Sequence, residues 1–153
     1  MAIVLLYPAV ATMTPASASV ASGFVGGRDV VYDDWADEGP LDSSSHRRSA
    51  ATGLWQWVLH ADGYYSGPID CDYGPATTAA TKAFQRANGL AQDGSAGPLT
   101  MGAADRRLVK EHLDYVRYQG LMEDIWFKRV NDAYQVYLFG GYKVASYTST
   151  TAC

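Results

Sequence analysis

The first clear periodic pattern of hydrophobic and polar positions begins near Ala50. Its apolar residues fall at i, i+1, i+4, i+5 and i+7, the spacing of one broad helical face, and they are Leu54, Trp55, Val58, Leu59 and Ala61. We predict a helix here that ends at Gly63. Trp57 lies at the margin of this face and widens the apolar arc to about 200° at 100° per residue, so we expect the helix to contact two surfaces.

Two further helices are predicted from a local pattern that the chain carries twice. Residues 70–80 read DCDYGPATTAA and residues 93–103 read DGSAGPLTMGA, so both contain D-x-x-x-G-P-x-T-x-x-A. Pro suits the first position of a helix, and the Gly before it can adopt the conformation of a cap. The pattern therefore predicts one helix from Pro75 to about Ala87 and a second from Pro98 to about Leu108 or a little beyond.

From about His112 onward the pattern is typical of β-structure. Aromatic residues crowd a segment rich in Val and Thr, and Asn131-Asp132 and Gly140-Gly141 are turn signals. We predict antiparallel strands near 113–119, 124–130, 133–139 and 142–148. Because a lone hairpin is only marginally stable in water, we expect this hairpin or meander to pack on the helices, with Trp57 in the contact. The fold class is therefore α+β.

The N-terminal part of the chain has a different composition. Residues 1–22 carry no charged side chain and pass from an apolar block at Ile3–Val10 to small residues, which is the profile of a secretory signal peptide. They lack the positive region that begins such signals, so either the start lies upstream of Met1 or the signal interpretation is wrong. The apolar block is far shorter than the ~20 residues that span a bilayer, and we predict no membrane span.

Residues 23–49 are predicted to form an acidic linker or arm. They are rich in Gly, Ser and acidic side chains and show no sustained helical or strand period. Apolar residues between Phe24 and Trp35 favour docking of part of this segment on the domain or on a partner. A single short strand around Asp29–Tyr32 is one option for it.

The two cysteines, Cys71 and Cys153, are predicted to form a disulfide. Cysteines of an exported chain are more often paired than free. A bridge from the last residue would hold a chain end that otherwise frays, and the chain-entropy model gives roughly 4 kcal/mol for a loop of this length. The alternative is two unrelated thiols.

An ordered series of residues in the middle of the chain resembles a known family. It consists of Gln56, Leu59, Gly63, Tyr64, Gly67, Ile69, Asp70, Gly74, Pro75, Thr77, Ala80, Phe84, Gln85, Gly89, Leu90, Asp93, Gly94, Gly97, Pro98 and Thr100. This series resembles the peptidoglycan-binding domain of the three-helix type, which occurs beside bacterial cell-wall hydrolases. The resemblance covers about residues 50–107.

The chain departs from this family most notably at Cys71, where the family usually has Gly. Gly is favoured where a turn needs a positive φ, so a Cβ there implies either a relaxed turn or a compensating tether. Three other departures exchange apolar or aromatic residues, at Trp55, Tyr73 and Met101. The domain organisation expected from all these patterns is a signal peptide (1–22), an acidic arm (23–49), a peptidoglycan-binding-like helical domain (50–110) and an aromatic-rich antiparallel β tail (111–153).

The resemblance implies recognition of cell-wall glycan or of its stem peptide. The candidate ligand-binding residues are Tyr64, Tyr65, Asp70, Tyr73, Gln85 and Arg86. Tyrosine rings suit the C–H faces of sugars, and the polar residues supply the few directed hydrogen bonds that such sites use. A core position is the favoured interpretation of Tyr73 and a turn-forming role that of Asp70, so Tyr65 and Arg86 are the candidates to test first.

No pattern of catalytic or metal-binding residues is recognisable. His46, His60 and His112 are isolated, and neither H-E-x-x-H nor G-x-S-x-G occurs. A net charge of −4 gives no general basic field, so we expect no nucleic acid as the main partner. We therefore predict an exported, cell-wall-associated, non-catalytic protein without cofactor or metal, whose partner is peptidoglycan. Two alternatives remain: a secreted protein-interaction module that uses the arm and tail, and a cell-wall hydrolase with an unrecognised site in the tail.

Overall fold

A computed structural model describes residues 19–28, 30–148 and 153, and within them the fold is α+β. The helices are α1 (Ser19–Ser22), α2 (Ala50–Ala61), α3 (Pro75–Ala87) and α4 (Pro98–Asp105), with a 3-10 helix at Val31–Asp33. The strands are β1 (Leu108–Lys110), β2 (Tyr115–Gln119), β3 (Asp124–Val130), β4 (Ala133–Leu138) and β5 (Gly141–Val144). Except for α1, the predicted signal peptide lies outside the described residues.

The helices begin where local sequence rules place them. The Ser49 side chain caps α2 by accepting a hydrogen bond of 3.1 Å from the Thr52 N–H. Both α3 and α4 begin with Pro at the first position after an extended Gly. None of the described helices is long and apolar enough to cross a membrane.

The tail, together with Leu108–Lys110 just before it, forms a five-stranded antiparallel sheet in which every strand pairs with its neighbour in sequence. The predicted helix end at about Leu108 is wrong, because α4 ends at Asp105 and Leu108 pairs with Tyr118 as part of β1. Both side chains are buried, so Leu108 contributes to the sheet core rather than to a helical face. The last predicted strand is shorter than expected and ends at Val144.

Helix α2 lies between α3 and the sheet, as its wide apolar arc predicts. The indoles of Trp55 and Trp57 mark the two sides. Trp55 packs edge-on against Phe84 of α3 at 5.2 Å between ring centroids, and the Trp57 Nε1–H donates to the Tyr137 carbonyl at 2.9 Å. The expected contact of Trp57 with the tail is confirmed.

The arm, residues 23–49, packs against both the helices and the sheet. Val25, Trp35 and Leu41 are fully buried. Isolated β-bridges join Phe24 to Ser146, Gly26 to Ala133 and Leu41 to Ala96. The optional strand at Asp29–Tyr32 is wrong for its second half, since the Asp33 N–H bonds to the Val30 carbonyl and closes a 3-10 turn; Asp29 lies outside the described residues.

Candidate functional site

The turn before α3 is held by one buried side chain, that of Gln56. Its amide nitrogen donates to Asp70 Oδ1 at 2.8 Å, to the Asp72 carbonyl at 3.1 Å and to Thr77 Oγ1 at 3.1 Å. Its oxygen accepts from the Cys71 N–H at 3.0 Å. Gln56 therefore fixes both the turn and the first part of the following helix.

The turn before α4 repeats this arrangement with Gln85. The Gln85 amide nitrogen donates to Asp93 Oδ1 at 2.7 Å, to the Ser95 carbonyl at 2.9 Å and to Thr100 Oγ1 at 3.0 Å, while its oxygen accepts from the Gly94 N–H at 2.9 Å. The repeated unit thus includes a glutamine from the preceding helix. No local sequence pattern connects these glutamines, because they precede their turns by different numbers of residues.

Three of the six candidate ligand-binding residues, Tyr73, Gln85 and Asp70, have structural roles in the fold. Tyr73 and Gln85 are buried, and the Tyr73 hydroxyl bonds to Thr81 Oγ1 at 2.6 Å and to the Gly94 carbonyl at 2.9 Å. Asp70 folds its turn by accepting from the Asp72 N–H at 3.0 Å, in line with the turn-forming interpretation.

The remaining candidates are three residues of α3 and the loop before it. Tyr65 is nearly buried, and its hydroxyl donates to the Pro68 carbonyl at 2.8 Å. Tyr64 is half-buried and packs against Phe84 at 6.2 Å, and Arg86 is exposed on α3. Their roles as ligand contacts remain predictions.

Cys71 occupies the left-handed position of its turn. Its φ is +58°, and that of the equivalent Gly94 is +76°, so the turn is not relaxed by the side chain. A disulfide joins Cys71 to Cys153 with the Cα atoms 5.8 Å apart. Of the two options from sequence, the tether is the one that the fold adopts, and the predicted pairing is present.

A groove of about 490 Å³ opens beside this first turn. Its lining comes from the arm, from the turn before α3 and from one face of α3, and it consists of Ser43, Arg47, Tyr73, Gly74, Pro75, Thr78, Ala79 and Lys82. Of the predicted ligand-binding residues, only Tyr73 lines it. The helical part was recognisable in principle, because Pro75, Thr78, Ala79 and Lys82 follow the spacing of one helix face.

Two cations flank the groove. Arg47 Nε lies 2.6 Å from Asp72 Oδ1, and the hydrogen bond from Arg47 is the main reason why the pKa of Asp72 is lowered. Arg48 also approaches Asp72, at 3.4 Å. Lys82, exposed on the α3 side, has no carboxylate partner among the residues that the structure describes. An anionic ligand in the groove would meet an unpaired ammonium group.

The histidines do not assemble a site. The His60 Nδ1 lies 3.0 Å from the Tyr65 carbonyl, and its Nε2 lies 3.1 Å from Glu123 Oε1. Within residues 19–28, 30–148 and 153, no three His, Cys, Asp or Glu side chains are grouped so that they could hold a metal ion.

Comparison with known proteins finds a family whose model matches the helical region. Residues 48–104 match the model of the family described as "Putative peptidoglycan binding domain", which confirms the resemblance seen in the sequence. A curated relative, the zinc D-Ala-D-Ala carboxypeptidase of Streptomyces albus G, is 37% identical over 97 residues, or 61% of this chain and 35% of the relative. The chain thus spans about a third of that relative's length. No solved structure matches the chain.

Proposed function

Because residues 48–104 match a family of peptidoglycan-binding domains, we propose that this protein binds bacterial cell-wall peptidoglycan without catalysing a reaction on it. The binding module is the helical domain, residues 50–110, and we assign it to the three-helix type. The observation that carries the proposal is the groove beside the first turn, whose lining comes mostly from the matched region and includes Lys82, together with Arg47 just before that region. The protein acts outside the cell, where the Cys71–Cys153 bridge is stable.

The carboxypeptidase activity named for the relative is not part of this proposal. The chain spans about a third of that relative, and the family match is to a binding domain. Incubation of the purified protein with sacculi, with and without added Zn²⁺, tests this view. Release of D-alanine, or a fall in turbidity, would overturn it in favour of an enzyme.

Retention on insoluble sacculi tests the binding function directly. We expect the wild-type protein to sediment with purified sacculi and the variant Ala79→Trp, which fills the groove, to remain largely in solution. Ala87→Trp is a matched control, because Ala87 is also exposed on α3 but does not line the groove. Equal retention of both variants would exclude this groove, and no retention of the wild type would remove the function. Arg86→Ala in the same assay tests the sequence-based candidate.

A second candidate function is a secreted protein-interaction or adaptor module, and the outer face of the sheet favours it. There Trp126, Tyr115, Tyr142 and Tyr137 form a chain of edge-to-face rings with centroids 5.6–6.5 Å apart. The Lys128 ammonium lies 5.2 Å from the Tyr115 ring and 4.7 Å from the Tyr142 ring. Exposed aromatic residues are enriched at protein interfaces, and the lysine favours an acidic partner.

Point variants, rather than truncations, test this second function. Deletion of the tail would remove buried core residues such as Phe127 and Tyr134 and would unfold the domain. Site-specific photo-crosslinking from position 137 in the producing cell, with position 119 as control, identifies a partner. A complex reconstituted from purified components that Trp126→Ser weakens would support the adaptor function. Crosslinks to glycan alone would reject it.

A further inference from the structure

The two copies of the turn-and-helix unit have equivalent helix faces, but one face is covered by the chain and the other is open to solvent. The second copy follows the first after 23 residues, so Thr78, Ala79 and Lys82 of α3 correspond to Met101, Gly102 and Asp105 of α4. The turns themselves are anchored alike. The Tyr73 N–H donates to the Arg47 carbonyl at 2.8 Å, and the equivalent Ala96 N–H donates to the Leu41 carbonyl at 2.9 Å.

On α4 this face is covered by a segment of the chain's own arm. The Trp35 N–H donates to Asp105 Oδ2 at 3.0 Å. A Cβ added to Gly102 would lie 3.2 Å from the Cα of Ala36, so the arm backbone approaches the helix closely at this point. Met101 and Asp105 are buried. This face of α4 thus binds a short, irregular segment of peptide.

On α3 the corresponding face is the wall of the open groove. Ala79 and Lys82 are exposed and Thr78 is half-buried. The arm contributes two residues to the lining of this groove, Ser43 and Arg47, but does not cover the α3 face. Of the two equivalent helix faces, the one on α4 is therefore covered by the chain itself, and the one on α3 is open to solvent.

From this pairing we infer that the groove on α3 binds a short peptide segment with a free carboxylate, and that in peptidoglycan this segment is the stem peptide. The inference rests on the proposed function and names the part of the polymer that the groove contacts. Asp105 accepts an N–H from the segment on α4. Lys82 stands at the equivalent position with the opposite charge, so it donates to a carboxylate, and Arg47, which also pairs with Asp72, lines the same groove.

The groove is poorly suited to the glycan strand itself. An aromatic platform for the C–H faces of sugar rings would need an exposed ring. The one aromatic residue in the lining is Tyr73, whose ring is fully buried and whose hydroxyl points to Thr81 and Gly94. A peptide ligand needs no such platform.

The second turn also positions Lys82. A Cβ built on Gly94 would lie 3.1 Å from the Lys82 Cε and 3.4 Å from its Cγ. The methylene groups of Lys82 therefore pack against this glycine. Residues from both copies of the repeat thus contribute to the groove on α3.

The inference is tested with a synthetic stem peptide that has free carboxylates. Its binding is measured by calorimetry and by NMR chemical-shift changes of α3 residues. We expect Lys82→Ala to weaken binding at least five-fold and Lys82→Glu to abolish it. Lys143→Ala, at an exposed lysine of β5, should leave the affinity unchanged. Because Lys82 is exposed, we expect both Lys82 variants to keep the unfolding temperature of the wild type. This measurement separates loss of binding from loss of fold.

Sacculi stripped of stem peptides by an amidase distinguish this inference from the proposed function. Retention on intact sacculi but not on stripped ones, together with the effect of Lys82→Ala, supports the inference. Equal retention on both, or the same peptide affinity for Lys82→Ala as for the wild type, overturns it while peptidoglycan binding stands. Absence of retention on intact sacculi overturns both.

Discussion

The Tyr147 hydroxyl donates a hydrogen bond to the carboxylate of Glu38, which precedes it in the chain by 109 positions. Glu38 is fully buried, and its other oxygen accepts from the Gly26 N–H at 2.8 Å. Tyr147 in turn accepts from the Gly39 N–H at 2.9 Å. This network fastens the arm to the end of the sheet, and burial raises the pKa of Glu38 from 4.5 to about 7.

The raised pKa gives the protein a predictable dependence of stability on pH. The folded protein holds the Glu38 proton more tightly than the unfolded chain does, so this group lowers the free energy of unfolding as pH rises from about 4.5 to about 7. We expect Glu38→Gln to remove this component. Relative to the wild type, the variant should gain about 1–3 kcal/mol between pH 4.5 and pH 7.5, as measured by urea unfolding at several pH values.

Asp114→Asn is a suitable control for this experiment, because Asp114 is exposed. It should shift the free energy of unfolding little and equally at both pH values. If the curves of Glu38→Gln and of the wild type run parallel across this range, Glu38 is ionised alike in the folded and unfolded states, and the prediction is wrong.

The glutamines that hold the turns should be among the most sensitive polar positions. Gln85→Ala removes four hydrogen bonds from a buried site, and we expect a loss of about 2–4 kcal/mol in the free energy of unfolding. Gln92→Ala, at an exposed position between the same two helices, should change it by less than about 0.5 kcal/mol. Chemical denaturation of both variants measures the difference, and similar values would show that the turn holds without Gln85.

The two left-handed positions should respond to substitution with opposite signs. In a Cys153→Ser background, Cys71→Gly should stabilise by about 1 kcal/mol, because Gly tolerates the φ of +58° better than any residue with a Cβ. Gly94→Ala should destabilise by more than about 1 kcal/mol, since the new Cβ would also lie 2.8 Å from Thr78 Cγ2. Thermal and urea unfolding of the pair decide the matter, and the same sign for both would contradict it.

Loss of the Cys71–Cys153 bridge itself should be costly. The bridge closes a loop with a sequence separation of 82, for which the chain-entropy model gives roughly 4 kcal/mol. We expect Cys153→Ser to lose up to this amount in urea unfolding. Reduction of the wild type should reproduce that loss, and it should leave the Cys153→Ser protein unaffected.

Asp62 joins α2 to the sheet and should be the most sensitive carboxylate at that junction. It accepts from Arg107 at 2.8 Å, from the Tyr118 hydroxyl at 2.9 Å and from the Leu121 N–H at 2.9 Å. Asp62→Ala leaves these donors without their acceptor, and we expect a loss of about 3–5 kcal/mol. Asp114→Ala serves as the exposed control. A loss below about 1 kcal/mol for Asp62→Ala would mean that water replaces the carboxylate.

The sequence predicts those parts of the fold that depend on local rules. Pro at the first helical position places the starts of α3 and α4 correctly, because its fixed φ acts within one residue. The turn signals at Asn131-Asp132 and Gly140-Gly141 likewise separate β3, β4 and β5. Leu108 cannot be placed by such rules, because an apolar residue just after a helix fits either a longer helix or a new strand.

What the sequence does not reveal depends on contacts between distant segments. Glu38 looks like one of many surface acids in an acidic arm, and only its burial beside Tyr147 shows otherwise. The groove escaped prediction for the same reason. Arg47 belongs to the arm and Lys82 to α3, and no local pattern connects them. The chemistry of tyrosine makes Tyr73 a candidate for ligand contact, but its side chain is fully buried in the core.

The order of the strands has a consequence for the rate at which this chain folds. Each strand pairs with its neighbour in sequence, so the sheet forms from short-range contacts, which favour fast folding. The arm is different, since Asp34 bonds to Tyr134 across 100 positions and Glu38 to Tyr147 across 109. Because closing so long a loop costs entropy before the contact forms, we expect these contacts to form after the sheet. Weakening them should therefore accelerate unfolding while leaving the folding rate nearly unchanged.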